Sequence, residues 1–194
     1  IDQHLSWTPH VDMVCRKLST ALYVVKRIRS VADLSTARVT YFALFESVVR
    51  YGLIIWGGSS IGNMTKVLKL QKKAVRILAG LNHLDSCRSA FKDLGIQTVV
   101  ALYIQQTILH VFNTDYNRLG EIHSYETRNV TDFVLQPHRL TMTTKKPSYA
   151  GAKFYNLLPR HLKSITRESA LKRNLSAWLA DRTFYSIEEF LNWT

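Results

Sequence analysis

Apolar side chains return every three or four residues through most of the first 80 positions, the period of helices buried on one side. Val11, Val14, Leu18, Leu22, Val25 and Ile28 make the stripe of a first helix over residues 9–30, with Thr8 as N-cap and Pro9 at the first helical position, where a missing N–H costs nothing. Tyr41, Leu44, Phe45, Val48 and Val49 give the inward face of a second helix over residues 35–51, which Gly52 stops. A short apolar piece, residues 53–56, and the loop GGSSIG lead to a third helix over residues 63–80, capped by Asn63 and ended by Gly80. At about 100° per residue its Val67, Leu68, Leu70, Ala74, Val75, Ile77 and Leu78 fill one arc, while Lys66, Lys69, Lys72, Lys73 and Arg76 fill the other. Three amphipathic helices with short connections predict a bundle over residues 1–80.

The pattern loosens over residues 81–194. Asp85 or Ser86 can cap a short helix ending at Gly95, and Thr98 another reaching Phe112. Residues 113–147 read as loop and extended chain, within which the β-branched run Thr141 to Thr144 reads as a strand, leaving room for one small β-hairpin. Ser148 opens a helix that must stop near Pro159, since the residue before a proline leaves the helical region. Further helices are expected over residues 169–180 and after the capping box Ser186 to Glu189. The fold class is therefore mainly α: a three-helix bundle, then an irregular helical extension.

Charge changes the picture more than composition does. Hydrophobic and charged contents of 46% and 21% are ordinary, but 26 Lys and Arg face 14 Asp and Glu, a net charge of +12. Such a balance favours a polyanion, nucleic acid or an anionic membrane surface. No acid occurs between Glu46 and Asp85, so the third helix has no acidic neighbour in sequence to lace its cations. A second basic zone, residues 137–182, sets ten Lys and Arg against Glu168 and Asp181. There Tyr149, Phe154 and Tyr155 alternate with Lys145, Lys146 and Lys153 as candidates to stack on bases or sugars, although Phe154 shares helical spacing with Leu157 and reads as core. Arg16 and Lys17 add cations on the first helix. The longest apolar window, residues 98–112, is too short for a membrane span and is broken by Gln105 and Gln106. The opening IDQHLSW shows neither a signal peptide nor an initiator Met and reads as a piece of something longer. Two cysteines, Cys15 and Cys87, with no CxxC, suit a reducing, intracellular compartment, nucleus or cytoplasm.

Catalytic patterns are weak. Two-metal chemistry needs clustered carboxylates, and here Asp2, Asp12, Asp33 and Glu46 are dispersed, while Glu188 and Glu189 sit in the first turn of a terminal helix, where they complement its dipole. His4, His10 and Cys15 match no zinc spacing. The loop at residues 57–62 lacks the Lys and Ser/Thr of a phosphate-cradling loop and reads as a turn.

The ordered motifs do resemble a known family. IDQHLSWTPHV is similar to the segment after the primer-grip strand of non-LTR, LINE-type (jockey-like) retrotransposon reverse transcriptases. VVRYGLIIWGG followed by KLQKKAVRILAG resembles their thumb signature, and FKDLGIQTVVALYIQQ, HSYETRN and YNLLPRHLKS resemble pieces of the region after the thumb. Leu5, Trp7 and His10 match the first segment, Tyr51, Gly52, Trp56 and Gly57 the turn, and Gln71, Arg76 and Ile77 the thumb helix. The resemblance implies a thumb-like bundle over residues 1–80 and a C-terminal extension over 81–194 that grip an RNA, DNA or RNA–DNA backbone without sequence preference. Lys66, Lys69, Lys72, Lys73 and Arg76 would carry the grip, helped by Arg16, Lys17, Lys145, Lys146 and Lys153. The partners implied are nucleic acid and the missing palm and fingers of the parent polymerase. The palm aspartates that bind Mg2+ in that RNA-directed DNA polymerase lie outside this chain, so no catalysis, catalytic residue, metal site or cofactor is expected of it. The alternatives are a retroelement remnant acting as a helical protein-interaction module, and a binder of anionic membranes through the basic helix.

Overall fold

Pro9 and Gly80 bracket the first half as their backbone chemistry requires. A computed structural model describes residues 6–114, 116–122 and 129–193. The described residues are mainly helical. Helix α1 spans Thr8–Val31 with Pro9 in its first turn, and Thr8 is its first residue instead of its cap: Trp7 holds the cap position, and the hydroxyl serving the first turn is Ser6 Oγ, which accepts from Thr8 N (3.1 Å). Val11, Val14, Leu18, Ala21 and Val25 are buried, with Leu22 and Ile28 half-buried beside them.

The second helical stretch carries an irregularity that no periodicity announces. α2 (Leu34–Thr40) starts at Asp33, whose side chain accepts from Thr36 N, and runs into a π-helical segment, Tyr41–Glu46, before α3 (Ser47–Arg50) and Gly52 at φ +62°. The extra residue per turn rotates the register. Tyr41, Phe45 and Val49 stay inside, Leu44 turns out to 43% exposure, and Glu46 turns in. Glu46 accepts from Arg50 Nε (2.8 Å) through one oxygen, while the other is buried without a partner among the described residues. Burial pushes its carboxyl above the ordinary 4.5, against the pull of Arg50. A carboxyl with a raised folded pKa holds its proton more tightly folded than unfolded, so stability declines as pH climbs above 4.5 toward the raised value. Glu46→Gln is expected to flatten that decline in urea melts run as a pH series upward from 4.5; parallel curves for the two proteins would contradict it.

After α4 (Leu53–Trp56) comes the basic helix α5 (Ile61–Ala79), which ends on Gly80 at φ +67°. α6 (Arg88–Asp93) follows with Cys87 at its cap position; Asp85 instead accepts from Asn82 N (2.8 Å) and closes the preceding turn. α7 (Val99–Phe112) is apolar nearly all round and accordingly buried. Thr98 Oγ1 caps it by accepting from Ala101 N (3.1 Å), as expected, and donates to Phe184 O (2.6 Å). α8 (Leu119–Ile122), α9 (Thr141–Thr144) and α10 (Pro147–Asn156) come next, then α11 (Arg160–Lys163), α12 (Glu168–Arg182) and α13 (Ile187–Leu191). α10 crosses α7 at Gly151, where a methyl group would run into the Thr107 carbonyl, so the close approach requires glycine. Ser186 Oγ caps α13 on Glu189 N, and the Glu189 carboxylate reaches back to Tyr185 N, one residue before the cap.

Two expectations for the second half are corrected. Thr141–Thr144 forms a helical turn instead of a strand, its hydroxyls captured locally, with Thr144 Oγ1 donating to Thr141 O (2.6 Å). Among the described residues the β-hairpin reduces to one antiparallel bridge, Arg118 with Phe133. Packing across residue 80 is continuous: α5, α4, α10 and α12 all rest on α7, and Gln71 ties α5 to the α7 N-terminus.

Candidate nucleic-acid interface

The basic helix owes its orientation to its apolar side. Val67, Ala74, Val75 and Leu78 are fully buried, with Met64 and Leu68 close behind. Those six side chains are consumed by the core, while Leu70 and Ile77 of the same arc are half-buried at its edge. Its N-cap is Ser60 instead of Asn63. Ser60 is extended and its Oγ accepts from Asn63 N (3.1 Å), three residues on, while Asn63 is buried and donates to Ser59 Oγ (3.1 Å).

The five cations share the outward arc but not one environment. Lys66 Nζ meets Asp12 at 2.7 Å, so α1 supplies the acid that the neighbouring sequence lacks; both side chains are nearly half exposed, and such a pair is worth under about 1 kcal/mol. Lys72 places its ammonium 3.5 Å from the Tyr185 ring centroid, with the Arg88 guanidinium 4.2 Å from the same centroid. Partial burial, and after it the charges of Arg76 and Arg88, push Lys72 below the ordinary lysine pKa. Arg76 Nε donates to Asp85 O (3.0 Å). Lys69 and Lys73 are exposed and have no partner among the described residues.

α1 and α5 run side by side in the same direction, Asp12 beside Lys66 at one end and Arg29 Nε on Leu78 O (3.2 Å) at the other. Between them lies an open groove of about 1070 Å³. Leu22, Leu70, Ile77 and Leu81 make its floor; the α5 cations stand on one side, and Ser19, Tyr23 and Lys26 on the other. Lys26 and Tyr23 were missed as site residues by sequence reasoning. Their signal is the phase Cys15, Ser19, Leu22, Tyr23, Lys26 along one face of α1, legible only once α5 is known to lie beside it.

The remaining predicted cations are scattered. Arg16 and Lys17 are exposed on α1 but do not line the groove. Lys145 Nζ donates to Ser59 O (3.0 Å) at the turn before α5, beside a pocket of about 310 Å³; Lys146 and Lys153 are exposed on and before α10, outside the groove. Elsewhere in the second basic zone, Lys163 is nearly buried against Asp132 (2.7 Å) and Arg182 lies over Trp178 (4.3 Å). Tyr149, Phe154 and Tyr155 do not form a stacking platform: Phe154 and Tyr155 are core, and Tyr149 is half-buried edge-on to His138 (4.8 Å). They face inward because α10 must cover α7.

The positions on which the motif resemblance rests are mostly structural. Trp7, His10 and Trp56 form a ring cluster with centroids 5.6 and 6.4 Å apart, in which burial lowers the His10 pKa. Trp56 Nε1 donates to Tyr51 O (3.0 Å), Tyr51 itself is exposed, and Gly57 is held against the Tyr103 ring with no room for a methyl group. Gln71 is fully buried, Ile77 is groove floor, and Leu5 lies outside the described residues, as does HSYETRN except Asn129. Among the described residues no three His, Cys, Asp or Glu side chains gather to hold a metal ion, and Glu189 is engaged by Arg88 (2.9 Å). No described helix is long and apolar enough to cross a membrane. No protein-family model, no curated protein and no solved structure matches the chain.

Proposed function

We propose that this chain holds nucleic-acid backbone without sequence preference in the α1–α5 groove, as a thumb-like and post-thumb part of a non-LTR reverse transcriptase would, and performs no catalysis by itself. The observation that carries the proposal is the groove's one-sided charge, with six cations around it and Lys69 and Lys73 left without partners among the described residues. Cations without acids nearby release counterions from a polyanion instead of breaking internal ion pairs, and that release is the driving force of non-specific binding. Lys145 extends positive charge toward the start of α5. Four to six neutralised phosphates give log affinity against log salt a slope of roughly −4 to −5. Fluorescence anisotropy of a short RNA–DNA hybrid across a salt series reads this directly, and a salt-independent or undetectable interaction would sink the proposal.

A second reading, a retroelement remnant serving as a helical protein-interaction module, draws on the exposed apolar side chains Tyr51, Ile55 and Ile61 around α4, at 78%, 50% and 67% exposure. A size measurement run beside the binding assay separates the two readings: self-association or partner capture abolished by Tyr51→Ser and Ile55→Ser, without nucleic-acid binding, favours the second.

A further inference from the structure

The groove offers more than a phosphate grip uses. Its floor is apolar, and its α1 wall carries Tyr23 at 65% exposure with no ring contact among the described residues. Resting on the nucleic-acid reading above, we infer that the α1–α5 groove takes a single strand, bases toward Tyr23 and the leucine floor and phosphates along the lysine walls, in preference to duplex.

A duplex keeps its bases stacked inside and turns phosphates and sugars outward. It could touch Lys69 and Lys73 on the crest of α5, but it would leave Leu22, Leu70, Ile77 and Tyr23 without contacts. A single strand presents the faces of its bases, and an exposed aromatic ring beside cations is the pairing such strands use. The two walls suit this division. Lys26 stands three residues from Tyr23, one helical turn along the same face, while Lys66, Lys69 and Lys73 rise along the opposite wall in steps of about 4.5 to 6 Å. From Cys15 to Lys26 the groove runs about 16 Å, long enough for a few nucleotides. Among the described residues, the one acid paired with a cation of the groove is Asp12, at one end. An acidic amphipathic peptide would meet the same charges, but Tyr23 standing free at the wall would obstruct a helix seeking the floor, whereas a base stacks on it.

The test is anisotropy at one fixed salt concentration with three labelled probes: an oligothymidylate of about 12 nucleotides, the same strand in a blunt duplex, and an acidic helical peptide of similar length. The single strand is expected to bind at least tenfold more tightly than the duplex, and Tyr23→Ala to shrink that preference about tenfold, the loss of one stacked base. Tyr23 is exposed, so the substitution leaves the fold intact. Equal affinity for strand and duplex, or a preference indifferent to Tyr23, overturns this inference while the backbone grip stands. Binding of the peptide alone, or of nothing, overturns both.

Discussion

The triple variant Lys66→Gln, Lys69→Gln, Lys73→Gln is expected to bind nucleic acid about a hundredfold more weakly than the parent chain at about 0.15 M salt, with the salt slope shallower by about 2 to 3. Each lysine set against a phosphate displaces close to one counterion, and at that ionic strength each displacement is worth about a factor of five, so three multiply to about the stated loss. The loss should be the same for every sequence, because ammonium groups meeting phosphates read no bases. The fold should not change. Lys69 and Lys73 touch no described partner, Lys66 gives up one exposed pair with Asp12, and glutamine is as good a helix former as lysine. Circular dichroism and a melt beside the anisotropy series check both halves. A loss confined to certain sequences would mean base readout, and a collapsed melt would make the stripe structural. Lys72 and Arg76 are left out of the variant because one lies over Tyr185 and the other holds Asp85 O, so replacing them confounds binding with packing.

That difference within one stripe marks how much of the site was legible in the sequence. Periodicity placed five cations on one arc of α5 and located its Gly80 end, because both depend on residues within a few turns of each other. Tertiary partners are another matter. Asp12 lies 54 residues before Lys66 and Tyr185 lies 113 after Lys72, and nothing in local spacing points to either. The groove has the same origin: Tyr23 and Lys26 look like ordinary solvent positions of α1 until α5 settles alongside. The mainly α fold was readable from helical stripes and from caps such as Thr98 and Ser186. The π-helical segment was not, since Tyr41, Phe45 and Val49 fit an uninterrupted α-helix equally well, and the rotation shows in the burial of Glu46 and the exposure of Leu44. In the second basic zone, alternating lysines and aromatics imitated a stacking surface because Lys145, Lys146 and Lys153 stay exposed before and on α10 while Phe154 and Tyr155 turn into the core.

Gln71 shows how a buried polar residue inside the basic helix can hold its cationic face in place. It is fully buried, donates through Nε2 to Tyr41 Oη and to Gln97 O (both 2.9 Å), and accepts through Oε1 from Val99 N (2.8 Å). One side chain thus joins the π-helical segment, the turn before α7 and the first orphan amide of α7, and Gln97 carries the link on to Ser176 of α12. Burial drives the Tyr41 hydroxyl well above the ordinary phenol pKa, so it stays neutral and depends on this hydrogen bond. Gln71→Leu keeps the volume but strands a backbone N–H, a carbonyl and a hydroxyl away from water. At about 1 to 3 kcal/mol for each of the three orphaned groups, the expected cost is about 3 to 9 kcal/mol, a large share of the 5 to 15 typical of a domain. A fall in the urea midpoint at unchanged slope measures it. If the variant still folds, α5 should rotate or fray against α7, and nucleic-acid affinity should drop although no phosphate-facing charge has been removed. A cost below about 1 kcal/mol would mean that packing alone orients the basic face and that the buried amide is dispensable.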